Sequence, residues 1–151
     1  GNHSAALKNL DQIVDGFPGS PKVPAVMLRQ GELLTKLERG REAREKYQYI
    51  LRVPEWRGIF QARALYQIGR SYMAENEYAK AHGFFERTFL GYPHLAEWSA
   101  RAYLADAEAL VGMNARDDAI RTLNEAVSEL SDSAPQAVLE SIQAKLRELQ
   151  A

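Results

Sequence analysis

The chain has 151 residues, 46% apolar and 26% charged, with a formal net charge of −1. This is enough chain for one domain with a packed core, and the near-zero charge excludes a bulk field that favours nucleic acid or an anionic membrane. The absence of cysteine excludes disulfides, thiol catalysis and cysteine-ligated metals but leaves the compartment open, and every apolar run is far shorter than a membrane span.

In chain order, Gly1 reads as the scar of a cleaved tag. A helix follows over residues 3–18, "HSAALKNLDQIVDGFP". The boundary segment "FPGSPKVP" leads into a first repeat over 22–55. "RVPEWRG" leads into a second over 57–93, and "GYPHLAEW" into a third over 95–131. Proline ends the second helix of a repeat, and the next repeat starts shortly after. Residues 134–150 form a last helix. Ser133 is expected to cap it and Pro135 to sit in its first turn. Val138, Leu139, Ile142, Leu146 and Leu149 make its apolar face. It would cover the open end of the stack.

Three segments align: "VMLRQGELLTKLERGREAREKYQYI", "ALYQIGRSYMAENEYAKAHGFFERT" and "AYLADAEALVGMNARDDAIRTLNEA". Gly31, Gly69 and Ala107 lie 38 residues apart. Twelve residues after each comes Ala43, Ala81 or Ala119, and four further on Tyr47, Phe85 or Leu123. Apolar residues recur at three- and four-residue spacing, so each half of a repeat is an amphipathic helix. Turn signals around Gly40, Asn76 and Asn114 split the halves, because Gly and Asn tolerate the left-handed conformation that ends a helix. Each repeat is therefore a helical hairpin. Gly69 carries a helix-interior penalty of about 1 kcal/mol, and the reading assigns it to a close contact with Ala81, so that Gly69→Leu would force the hairpin apart. Ala6, Leu10, Ile13 and Pro18 match the spacing of Ala81, Phe85, Thr88 and Pro93. The chain thus begins with the second helix of a repeat, as a piece of a longer protein would.

This pattern resembles the tetratricopeptide repeat (TPR), on Leu65, Gly69, Tyr72, Ala81, Phe85 and Pro93. The period departs from the family's usual value of about 34. Pro54 comes one place early, Ser131 stands where the third repeat would have proline, and Ala107 replaces glycine. The resemblance implies an all-α, right-handed superhelix of antiparallel hairpins, about seven helices in one domain over 1–151. A longer repeat with "FPGSP" and "GYP" at its boundaries is similar to bacterial envelope members of the family, the Tol-Pal-associated periplasmic proteins and the outer-membrane-assembly lipoproteins, which implies an envelope setting.

The resemblance also implies a function: an adaptor or scaffold that holds a protein or peptide in a concave groove lined by the first helices. By spacing, the groove positions are Ala25, Leu28, Glu32 and Thr35 in the first repeat. Arg63, Tyr66, Arg70 and Met73 follow in the second, and Arg101, Leu104, Glu108 and Val111 in the third. Arginines beside Tyr66, Met73 and Leu104 could hold a segment carrying carboxylates. Alternatively Arg63 and Arg101 pair with glutamates and solubilise the face. Leu28 and Glu32 replace the Lys/Asn set with which chaperone-binding members clamp a terminal carboxylate, which argues against that ligand. Phe60 and Trp98 are equivalent in the register and are read as packing on the preceding hairpin, with an exposed aromatic ridge as the alternative. In "FFERTF", Phe85 belongs to the hairpin core, and Phe84 and Phe89 to interfaces between neighbours, with a place on the convex surface as the alternative for one of them.

No catalytic constellation appears. His3, His82 and His94 are far apart, and there is no HExxH, GxSxG or glycine-rich phosphate loop. Asp117 and Asp118 open a helix, where negative charge favours the dipole. The reading is not an enzyme, with no cofactor, no metal and no small-molecule substrate. Residues 36–70 carry nine basic and four acidic side chains, and residues 104–151 carry four and nine. Solvated helix faces explain this, and a dipolar surface that orients a partner or stacks copies is the alternative. Two rival functions remain: a self-associating or rigid spacer of a larger envelope protein, and nucleic-acid binding through the basic central repeat.

Overall fold

The repeats fold as helical hairpins, and turn chemistry sets where each helix stops. The computed structural model describes all of residues 1–151. It contains eight α-helices: α1 (Asn2–Gly16), α2 (Val23–Lys36), α3 (Gly40–Leu51), α4 (Ile59–Ala74), α5 (Tyr78–Gly91), α6 (Ala96–Gly112), α7 (Arg116–Leu130) and α8 (Gln136–Gln150). One turn of 3-10 helix occupies Pro54–Trp56. The all-α architecture agrees with the sequence, and the helix count is close to the expected seven. No helix is long and apolar enough to cross a membrane.

The first helix of every repeat ends in the same motif. Glu38, Asn76 and Asn114 have φ of 60°, 58° and 59°. The N–H of the following residue reaches back five positions in each case: Arg39 to the Leu34 carbonyl (2.8 Å), Glu77 to Tyr72 (3.0 Å) and Ala115 to Leu110 (2.8 Å). These are Schellman turns, spaced 38 residues apart like the repeat. One detail differs from the sequence reading. Gly40 does not make the left-handed turn; it opens α3, and Glu38 adopts the left-handed backbone. The register explains this, since Glu38 follows Gly31 by seven residues, as Asn76 follows Gly69. Glutamate lacks the short polar side chain that eases this conformation for asparagine. Glu38→Asn is therefore expected to stabilise the protein by up to about 1 kcal/mol. Urea unfolding measures it, and a destabilised variant would mean that the glutamate side chain is itself needed.

The chain divides into two compact units, Gly1–Ser71 and Tyr72–Ala151. In the first, α2 packs against both α1 and α3. Met27, Leu33, Leu34, Ala43, Tyr47, Ile50, Leu65 and Ile68 form its core. In the first repeat a methyl at Gly31 would overlap the Tyr47 ring, so the glycine makes room for the aromatic sixteen residues on. Burial pushes the Tyr47 phenol up to about 12, partly offset by a hydrogen bond with Thr35. Gly69 is likewise buried within α4. α4 joins this unit through side chains. Gln61 donates its amide to the carbonyls of Ile50 (3.3 Å), Leu51 (3.5 Å) and Val53 (2.8 Å). That satisfies acceptors which the end of α3 leaves without intrahelical donors. α1 buries only Leu7, and Phe17 just beyond it is 68% exposed.

In the second unit, α6 is the central helix and packs on α5, α7 and α8. Its buried side is rich in alanine: Ala100, Ala102, Ala105, Ala107 and Ala109. Small side chains let neighbouring helices come close on several sides. Phe89 stacks on Tyr103 with ring centroids 3.8 Å apart, and Phe84 stacks on Tyr72 at 5.7 Å. Leu139, Ile142, Leu146 and Leu149 of α8 are buried, each contributing about 1.5–3 kcal/mol. Val138 is half-buried. Ser133 does not cap α8. The residue at the N-cap is Pro135, without a side-chain cap, and the Ser133 N–H donates to the Leu130 carbonyl instead. Residues 131–134 continue the turn that closes α7 and α8 starts only at Gln136, so Ser133 lies two residues before the N-cap position. At its other end, α8 is held by the Arg116 guanidinium, whose Nε donates to the Leu149 carbonyl at 2.7 Å.

Candidate protein-interaction surface

The predicted groove residues fall on the first helices of the hairpins, with different surroundings. On α2, Leu28 is only 2% exposed. It is a core residue and presents no side chain to a ligand, because the face of α2 turned to its neighbours is broader than the spacing rule assumes. Glu32 is half-buried and bridges two arginines: Arg29 Nη1 at 2.9 Å on its own helix and Arg63 Nη2 at 3.6 Å on α4. Arg63 is thus tied to a glutamate of a neighbouring helix, as the structural alternative anticipates. Tyr66 is half-buried and Arg70 exposed, and both continue the Arg63 stripe along α4 at three- and four-residue spacing. Met73 extends the stripe and is half-buried.

On α6, Arg101 is exposed, and Leu104 and Glu108 are half-buried. Arg101 pairs with Glu97 one turn earlier (2.8 Å) and lies over the Trp98 ring at 4.9 Å. An exposed i,i+4 pair of this kind is worth about 0.3–0.5 kcal/mol, so the guanidinium can exchange partners at small cost. Trp98 and Phe60 are both half-buried. The spacing rule thus brings Glu32 and Arg63 together, lays Arg63, Tyr66, Arg70 and Met73 on one stripe of α4, and sets Arg101, Leu104 and Glu108 on a stripe of α6.

Sequence reasoning missed a buried polar array in the second unit. Asp106 on α6 is 1% exposed. Its Oδ1 lies 2.6 Å from His82 Nδ1 on α5, and His82 Nε2 lies 2.9 Å from Glu86 Oε1. Two carboxylates on one imidazole need two protons between them and the ring, since a neutral ring has a single N–H. Burial pushes the Asp106 carboxyl up to about 6, against the opposing pull of His82. The signal was present in "LADAEAL": Asp106 is the single acidic residue on the buried stripe of α6. The equivalent residues of the earlier repeats, Gln30 and Ile68, are also buried, and Gln30 donates to Asp11 on α1 at 2.7 Å. No group of three or more acidic or histidine side chains is placed to hold a metal.

A 38-residue hairpin period, a glycine packed on an aromatic ring and a recurring Schellman turn define a TPR-like helical repeat. No family model and no curated protein sequence matches the chain. Among solved structures, the chain is similar to a TPR-containing protein described as "MamA RS-1 ArsTM double mutant". The TM-score is 0.65 at 18% identity, covering 98% of this chain and 85% of that one. At this identity the likeness establishes the fold.

Proposed function

We propose that the chain is a protein-interaction scaffold that holds a peptide segment against the first helices of its hairpins. The observation that carries this reading is the stripe on α4, where Tyr66, Arg70 and Met73 place an aromatic, a cation and a flexible apolar side chain in series. Arg101 and Leu104 repeat that chemistry on α6. Such surfaces favour segments that combine carboxylates with apolar anchors. The proposal contains no catalytic step. An envelope setting belongs to the same proposal and is supported by the boundary segments "FPGSP" and "GYP" alone.

Selection from a random peptide library tests it. Enriched peptides are expected to carry acidic and apolar residues and to lose about tenfold or more in affinity for Tyr66→Ala combined with Arg101→Glu. Arg63 is left intact, because reversing it would set two carboxylates against each other at Glu32. Selected peptides that bind the double variant as well as the wild type would remove the stripe from the function.

A second reading, self-association, is favoured by the charge distribution. The first compact unit carries twelve basic and seven acidic side chains, and the second carries seven and thirteen. Opposite fields on two halves suit head-to-tail contact between copies. That reading requires a concentration-dependent assembly that dissociates as salt is raised.

A further inference from the structure

The end of α5 differs from the end of α3 in a way that leaves a pocket. In the second repeat, the Gln61 amide caps the carbonyls of Ile50, Leu51 and Val53. In the third repeat the register puts Ser99 in place of Gln61, and Thr88, Phe89 and Gly91 in place of the capped residues. Serine is too short to make that cap. Pro93 has no N–H to offer the Phe89 carbonyl four residues earlier. Between Ser99 and the end of α5 lies a pocket of about 250 Å³, smaller than the roughly 300–1,000 Å³ of small-molecule sites and suited to a single side chain.

The lining specifies the occupant. Ser99 lines the pocket, is 1% exposed, and its hydroxyl has no hydrogen-bond partner. Glu125 and Glu129 of α7 supply two carboxylates. Glu125 Oε1 accepts one bond, from the Tyr103 hydroxyl at 3.0 Å. Burial pushes the Tyr103 phenol well above its ordinary value, and the hydrogen bond to Glu125 and the charges of Glu125 and Glu129 add to the rise. The last turns of α5 and α7 line the same pocket through Phe89, Leu90 and Leu130, and helix C-termini carry partial negative charge. The walls are apolar, and Leu90 at the rim is 65% exposed. The unit as a whole has an excess of six acidic side chains.

We propose that this pocket is a binding site for a lysine or arginine side chain of a partner protein. The N–H groups of the cation take the place of the Gln61-type amide and meet Ser99, Glu125 and Glu129. The aliphatic stem packs along Phe89 and Leu90. On α6 the site lies away from the Arg101–Leu104–Glu108 stripe, since Tyr103 is two residues, about 200°, from Arg101 around the helix. It does not depend on the peptide-holding stripe proposed above.

The test is an NMR titration of the 151-residue protein with blocked pentapeptides, glycine throughout except for lysine, arginine or norleucine at the centre. The lysine or arginine peptide is expected to give saturable shifts at the Phe89, Ser99 and Leu130 amides. The norleucine peptide should give none. Glu125→Gln with Glu129→Gln should weaken binding by about tenfold or more, and Ser99→Gln, which supplies the amide internally, should abolish it. Tyr66→Ala with Arg101→Glu should leave it unchanged. The proposal is overturned if no basic peptide saturates, if norleucine binds equally, or if the double glutamine variant binds like the wild type. Much tighter binding of n-butylammonium than of the lysine and arginine peptides would overturn a protein partner in favour of a free amine. Circular dichroism checks that each variant is folded; should Ser99→Gln fail it, the double glutamine variant, exposed on α7, decides alone.

Discussion

Gly31→Ala is expected to destabilise the protein by about 1–3 kcal/mol, and Gly31→Leu by more. The added methyl would overlap the Tyr47 ring. That ring cannot swing aside, because Tyr47 is 1% exposed and packed on all sides. The third repeat solves the same packing problem differently: it has Ala107 on the first helix and the smaller Leu123 on the second, both fully buried. Tyr47→Leu alone should leave a cavity and lose about 2–5 kcal/mol. Gly31→Ala combined with Tyr47→Leu copies the third repeat, so its loss should fall well short of the sum of the two singles. Urea denaturation of the four proteins measures the coupling. Additive losses would show that the two positions do not share one volume, and the register built on them would fail.

The second large effect concerns Asp106. His82→Ala removes the ring nitrogen 2.6 Å from a fully buried carboxylate. Breaking a buried pair from one side costs on the order of 3 kcal/mol near neutral pH. The loss should shrink in acid, where Asp106 takes up a proton. The sign of the wild-type pH dependence follows from the raised carboxyl. Its folded value of about 6 exceeds its ordinary 3.8, so the folded protein binds this proton more tightly than the unfolded chain does. The stabilisation is complete below 3.8 and is lost as pH rises through about 6. Asp106→Asn removes this dependence. The stability difference between wild type and Asp106→Asn should therefore move in favour of the variant across that interval. Thermal melts at several pH values measure it, and a flat difference would place the charge of Asp106 elsewhere.

Helix order, hairpin pairing and the positions of the buried small and aromatic residues are local matters of spacing. Gly31, Ala43 and Tyr47 can be read from the chain because an amphipathic helix repeats its buried face every three or four residues. At three positions the structure departs from what composition and spacing suggest. Gly40 looks like a turn residue by composition, but the Schellman register selects Glu38. Ser133 looks like a cap, but α8 starts two residues too late for it and has Pro135 at its N-cap. Leu28 has groove spacing and core burial.

The sequence by itself determined the class of fold, the 38-residue period and the stripe on α4, because each follows from periodicity along one helix. Only the tertiary structure decided which polar groups meet. Asp106 and His82 are 24 residues apart and touch across two helices. Ser99 marks a pocket only because Gln61 caps the preceding helix end in its own repeat while serine cannot reach. Hydrogen bonds and buried charges depend on ångström distances between separate elements, and spacing within one element does not supply them.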